Sequence, residues 1–339
     1  MAPGYRLLSY RDGATAKAGV LIGERIVPAA TLLKDVDVDA TSVLGLLRAW
    51  DTVHPRLHEA AQDSKANAGV LLAQAKLDAP ILYPGALFCA GANYWDHLEE
   101  MAEIAKRVTG KAPAMTKAKD PYFFMKTTAG SIIGTGTPAR LPPFSHQVDW
   151  EAELGVVIAR QTRNISEQRA LDAVAGYLIV NDLSARDLMK REGSPFGMDW
   201  VGQKCFEDAA PMGPWLTPAA YIPDPKNMAI KLWVNGVLKQ DFSTADMANK
   251  IPRCIEWVSS IHHLDPGDII ATGTNHGGLN PFMDGDVVEL ETAGLGRLKI
   301  NVRDDLKRTW PRETRLERHR KKLPAITPQL TGKYAKSAQ

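Results

Sequence analysis

The sequence has little cysteine, no long apolar run and no strong charge of either sign over most of its length. Its three cysteines, Cys89, Cys205 and Cys254, are far apart and outside any C-x-x-C spacing. This argues against a disulfide framework or a zinc ribbon and points to a reducing compartment, so a cytoplasmic location is expected. No apolar stretch approaches the roughly 18 residues of a membrane-spanning helix. The opening Met1-Ala2-Pro3-Gly4-Tyr5-Arg6 lacks a basic region followed by an apolar core, so no secretory signal and no membrane partner are expected. Net charge is only +2 for 339 residues. Residues 303–339 hold eleven Lys or Arg against four Asp or Glu, a local +7, which leaves −5 on the first 302. A nucleic-acid-binding body is therefore disfavoured. What remains is ordinary globular usage, 45% hydrophobic and 24% charged, in a chain long enough for a large core.

Turn signals divide the chain. Arg6–Tyr10 and Ala18–Ile22 read as short strands beside Asp12-Gly13 and Gly23-Glu24, and Val43–Leu47 lies in a probable helix. Pro80 and Pro84-Gly85 close this unit, so residues 1–80 read as a small N-terminal domain, 81–303 as the body and 304–339 as a basic tail, an extended or partly disordered arm with Pro311, Pro324 and Pro328. Ser166 is a candidate N-cap for a helix through Leu171, Val174 and Ala175 that Gly176 ends. Late in the body, Ala229–Val234 and Val237–Phe242 flank Asn235-Gly236, a strong hairpin signal. Val287–Glu291 is expected to pair with Arg297–Val302 across Gly294-Leu295-Gly296. The sum is a mainly β (α+β) chain with a mixed or antiparallel core and few helices.

Chemistry concentrates around Val148–Ile158. With a side-chain period of two, Val148, Trp150, Ala152, Leu154, Val156 and Ile158 form one apolar face, and Asp149, Glu151 and Glu153 share the other. Alternate residues of a strand lie roughly 6 to 7 Å apart, close enough for two long carboxylates to converge on one cation. The same residues also suit an acidic, solvent-facing strand edge. Tyr177–Val180 reads as a buried strand ending at Asn181-Asp182, where Asp182 is either a turn residue or a third hard oxygen ligand beside Glu151 and Glu153. His97 and Glu100 stand three apart on a predicted helix, either a surface pair or a base oriented by a carboxylate. Lys204 precedes an apolar run, either as a core-edge residue or as a fixed charge facing a substrate oxyanion.

Several of these stretches together resemble the fumarylacetoacetate hydrolase superfamily over roughly Gly85 to Val302. They are Gly91-x-Asn93-Tyr94-x-Asp96-His97-x-x-Glu100-Met101, Asp149-Trp150-Glu151-x-Glu153-Leu154, Asn181-Asp182-x-Ser184-Ala185-Arg186-Asp187, Lys204-x-Phe206 with Ala210–Pro214, and Gly267–Thr274. The resemblance implies a rolled mixed β core, a homodimer, and Mg²⁺ or Mn²⁺ on Glu151, Glu153 and Asp182. It also implies a catalytic dyad of His97 and Glu100 on a lid segment, an oxyanion lysine at Lys204, and substrate contacts at Lys126 and Thr274. Where relatives continue Thr-Gly-Thr with proline and a glycine-rich turn, this chain has Asn275-His276-Gly277-Gly278-Leu279-Asn280-Pro281. His276 is then either a loop histidine or a pocket residue that sets substrate choice. The stretch Glu103–Asp120 is long for the lid, and the basic tail lies outside the common pattern.

The expected activity is hydrolytic cleavage of a carbon–carbon bond in a small 2,4-dioxo acid such as an acylpyruvate, through a metal-stabilised enolate. Decarboxylation or tautomerisation of an oxaloacetate-like acid uses the same ligands without an attacking water. A non-catalytic protein that binds a metal and an oxo acid is disfavoured by the intact His97, Glu100 and Lys204.

Overall fold

The computed structural model describes residues 4–62, 69–109, 120–188, 193, 199–275, 280–312 and 320–323. Two sheets dominate it. The larger runs, in spatial order, through Val70–Leu71, Arg25–Pro28, Thr15–Ile22, Tyr5–Asp12, Ala210–Pro218, Val174–Asn181, Ala152–Ile158, Ile269–Ala271, Leu87–Gly91 and Tyr122–Lys126, with Ile132–Ile133 paired to the side of Ala210–Pro218. A five-stranded sheet joins Val237–Ser243, Ala229–Val234, Val287–Thr292, Gly296–Arg303 and Pro138–Arg140. A two-stranded ribbon pairs Val148–Asp149 with Ser184–Ala185.

Local chemistry sets the hairpins. Asn235 and Gly236 both take positive φ, 52° and 76°, and close the strands at Val234↔Val237. This is the primed turn whose twist matches its flanking strands. Gly13 and Gly23, at φ 61° and 59°, turn the N-terminal strands, which pair from Asp12↔Thr15 back to Tyr5↔Ile22. The N-terminal strands are continuous with the body's sheet through Leu7↔Leu216.

The alternation read from Val148–Ile158 places side chains as expected. Val148, Trp150, Ala152, Leu154, Val156 and Ile158 all enter the core between the two sheets, with Leu232, Leu290 and Ile300 from the smaller one. Val157, Leu178 and Val180 point the opposite way, into a second core beneath the helices Val43–Arg48 and Trp50–Gln62. The central strand is thus buried on both faces, which explains its apolar density. It is not continuous, however: the ladder breaks at Trp150 and Glu151, between Val148–Asp149 and Ala152–Ile158.

One further expectation changes. The helix expected after Ser166 is only a 3₁₀ turn, Glu167–Ala173, and Ser166 makes no side-chain cap. Val174–Asn181 is instead a fully buried strand, because ladder bonds to neighbours on both sides outweigh local helical spacing. Gly176 serves close strand packing there, since a Cβ would stand 2.2 Å from the Thr217 carbonyl oxygen. The segment after Arg303, expected as an extended or partly disordered arm, runs without helix or strand along the body as far as Arg312, and residues 313–319 and 324–339 lie outside the described residues. Among the described residues no helix is long and apolar enough to cross a membrane.

Gly176→Ala forces backbone to move at the centre of the large sheet. We expect a loss of about 2 kcal/mol or more in urea unfolding; a variant with unchanged midpoint contradicts the close-packing assignment.

Candidate metal centre

Strand register builds the site. Ala152 faces Asn181 and Glu153 faces Val180 across the antiparallel pair. Asp182, the residue after Asn181, therefore lies beside Glu151, the residue before Ala152. The backbone confirms this neighbourhood, with the Asp182 N–H donating to the Glu151 carbonyl at 2.9 Å and the Glu151 N–H to Asn181 Oδ1 at 3.1 Å. Glu153 Oε2 accepts from the Gly273 N–H at 2.8 Å. Gly273 takes φ 85°, and a Cβ there would press to 3.0 Å on the Ala90 carbonyl. Glycine is needed at this bend off Ile269–Ala271 for the N–H to reach the carboxylate.

Glu151, Glu153 and Asp182 are buried, and one ligand oxygen from each lies within 4.8 Å of the others. Their charge is partly met by two lysines. Lys126 Nζ contacts Asp182 Oδ1 at 2.5 Å and the Leu183 carbonyl at 3.0 Å. Lys204 Nζ contacts Glu151 Oε2 at 2.7 Å, Asp182 Oδ2 at 2.6 Å and Ser184 Oγ at 2.6 Å. All three donors of Lys204 are engaged with the protein.

Arg186, which sequence reasoning quoted only as part of a motif, is the third cation. Its Nε bridges both Asp149 oxygens at 2.9 and 3.0 Å, and its Nη2 reaches Glu151 Oε1 at 2.5 Å. Asp149 is therefore drawn to Arg186 instead of joining Glu151 and Glu153. Arg186 is adjacent to Asp187 and four residues from Asp182 in the sequence, so nothing local singled out Asp149 as its partner.

The site remains under electrostatic tension. Burial, then the charges of Asp182 and Glu151, push the Glu153 carboxyl well above the ordinary carboxylate range. Burial also raises Asp182, although Lys126 and Lys204 pull the other way. Burial works against the Lys204 ammonium, but Asp182 and Glu151 outweigh it and hold the amine protonated above its usual range. Arg186 is held the same way by Asp149 and Glu151. An oxygen-only set of buried, mutually repelling carboxylates fits a hard divalent cation.

The remaining expected residues are placed as follows. Thr274 is buried, and its Oγ1 accepts from Gln240 Nε2 at 2.8 Å. Gln240 Oε1 accepts the Ala152 N–H at 3.0 Å, tying this strand end to the acidic one. Gln240 went unrecognised in the sequence, because its partners come from distant segments. His97 and Glu100 lie on the helix Trp95–Thr109. The start of that helix is fixed near the site by Asn93, whose Nδ2 donates to the Thr272 and Asn249 carbonyls, and by the Asp96 N–H, which donates to Asp246 Oδ2 at 3.1 Å. The Glu100 side chain and the whole of His276 fall outside the described residues.

Comparison with known proteins gives the family and its fold. The family model for the fumarylacetoacetate (FAA) hydrolase C-terminal region matches residues 86–303, and the chain belongs to that family. Oxaloacetate tautomerase fahd2, mitochondrial, of Xenopus laevis is 38% identical over 232 residues, which span 66% of this chain and 67% of the relative. The crystal structure of maleylpyruvate hydrolase from Sphingobium sp. SYK-6 in complex with manganese(II) and pyruvate superposes with a TM-score of 0.69 at 28% identity, covering 88% of this chain and 99% of that one. Fumarylacetoacetate hydrolase from psychrophilic Exiguobacterium antarcticum superposes with a TM-score of 0.72 at 26% identity, over 89% and 100% of the two chains. The mixed β architecture described above is the fold of this family.

The raised Glu153 carboxyl has a sign that can be tested in chelated protein. A folded-state pKa above the unfolded value of about 4.3 means that the folded chain keeps a proton the unfolded chain gives up. Metal-free stability is then present at low pH and is lost as pH rises through the raised value. We expect the thermal midpoint in chelator to fall with rising pH in the wild type and to fall less steeply in Glu153→Gln; parallel profiles contradict the assignment.

Proposed function

We propose that this protein is a divalent-metal-dependent hydrolase that cleaves a carbon–carbon bond in a small 2,4-dioxo acid of the acylpyruvate type. The observation carrying this reading is the buried triad Glu151, Glu153 and Asp182, with ligand oxygens within 4.8 Å of one another. The likeness to a maleylpyruvate hydrolase solved with manganese(II) and pyruvate supports it. Those three carboxylates would hold Mg²⁺ or Mn²⁺, which when bound supplies Lewis acidity to the oxo-acid end of the substrate.

The other roles belong to this chain's own side chains. His97 takes a proton from the water that attacks the distal carbonyl, and Glu100, one turn on along the same helix, orients the imidazole. Lys204 offsets charge on the resulting oxyanion, which requires one of its donors to leave Glu151, Asp182 or Ser184. Lys126 and Thr274 meet carboxylate or carbonyl oxygens of the substrate. His276, in the loop that departs from the family pattern, shapes substrate choice. The working form is a cytoplasmic homodimer, a reading that rests on the family and on the scarcity of cysteine.

A second reading has one specific observation in its favour, the 38% identity to an oxaloacetate tautomerase. The same residues without an attacking water would tautomerise or decarboxylate an oxaloacetate-like acid. A chelator-controlled panel of acylpyruvates and oxaloacetate in labelled water separates the two. Label in a carboxylate product supports hydrolysis, whereas carbon dioxide release or keto–enol exchange without label supports the second reading. Bound metal with no turnover of any oxo acid would instead indicate a binding protein.

For the hydrolase, His97→Ala should lower kcat by about a hundredfold or more with metal content unchanged. Wild-type turnover in that variant removes His97 from the proposed role.

A further inference from the structure

We infer that residues 304–312, which lie beyond the family match at 86–303, form a strap that fixes the Glu151 arm of the carboxylate cage from behind. Arg308 and Trp310 are its positioning residues. The inference rests on the reading of Glu151 as a metal ligand.

Glu151 is the member of the triad that needs such support. Glu153 lies within the regular ladder of Ala152–Ile158, and Asp182 directly follows Val174–Asn181. Glu151 sits in the break between two strands. Two separate chains of contacts run from the strap to that break.

The first passes through Arg308, whose side chain is only 11% exposed and is held by the buried Asp304 at 2.9 Å. Its Nη1 donates to the Ser145 carbonyl at 2.5 Å and its Nη2 to the Pro142 carbonyl at 3.2 Å. Ser145 Oγ then donates to Asp187 Oδ1 at 2.6 Å, and the His146 N–H to Asp187 Oδ2 at 2.6 Å. The Arg186 N–H donates to the Gln147 carbonyl at 2.8 Å. This seats the guanidinium that grips Asp149 and Glu151.

The second chain passes through Trp310. Its indole Nε1 donates to the Phe282 carbonyl at 3.2 Å, and its ring meets His146 edge-on at 5.6 Å. The Phe282 N–H donates to the Val148 carbonyl at 2.8 Å, and its ring packs 5.4 Å from Trp150, the residue before Glu151. Arg312 anchors the far end on Asp286 at 2.6 Å, and its carbonyl accepts from Asn280 Nδ2.

Groups that orient a metal ligand carry a tenfold or larger share of affinity. The test titrates Mn²⁺ into full-length protein, following free Mn²⁺ by electron paramagnetic resonance and the melting of the metal-free form in parallel. Arg308→Ala should raise the Mn²⁺ dissociation constant about tenfold, and Arg308→Lys, which keeps one donor for Ser145, should recover part of it. Melting lowered with Mn²⁺ affinity unchanged would mean a merely structural strap and overturns the inference. If Arg308→Ala does not fold, Trp310→Phe carries the comparison, with an expected loss of about threefold, the worth of one hydrogen bond; unchanged affinity there overturns it equally. Wild-type protein that binds no Mn²⁺ overturns both this inference and the proposed function. Wild-type binding with unaltered variants overturns the strap alone.

Discussion

Three carboxylates buried within reach of one another set the terms for the rest of this protein. Such a group cannot persist unless positive charge is supplied from several directions, and the fold delivers it from separate elements. Lys126 comes from the edge strand Tyr122–Lys126, Lys204 from the short helix Trp200–Lys204, and Arg186 from the turn after Ser184–Ala185. Each ends on an oxygen of Asp182, Glu151 or Asp149. Elements far apart in the sequence are therefore held together by charge as well as by apolar packing.

The two cores explain how so much polarity is tolerated. The apolar face of the central strand is sealed by the smaller sheet, and the opposite face by the helices that follow the N-terminal strands. Glu151 and Glu153 sit at the end of that strand, where backbone N–H groups donate to side-chain oxygens. Asn181, Gln240 and Gly273 each provide one such hydrogen bond. The price of a buried acidic cluster is thus distributed over many small polar contacts.

Much of this was legible in the sequence, for identifiable reasons. The period-two alternation from Val148 to Ile158 located the acidic face, and a strand that ended in Asn181-Asp182 supplied the third carboxylate. Asn235-Gly236 fixed a hairpin because its dihedral demand is local. What escaped was non-local. The Arg186–Asp149 pairing depends on a ribbon between segments more than thirty residues apart, and Gln240 joins Thr274 to Ala152 across the two sheets. The helix expected after Ser166 yielded to strand pairing that no local window records. Nor did the composition of the tail reveal that Arg308 and Trp310 meet specific buried partners, since a basic, proline-containing stretch has the same statistics whether or not it docks.

The placement of Leu87–Gly91 has a consequence for how the chain is made. That strand lies parallel to Ile269–Ala271, which in turn separates it from Ala152–Ile158. On the ribosome, the first half of the sheet must therefore wait, with apolar edges uncovered, until a much later segment emerges to fill the gap between its strands. Chains of this topology acquire their native pairing late, and nascent forms of this one are expected to depend on protection from aggregation until Ile269–Ala271 has left the exit tunnel.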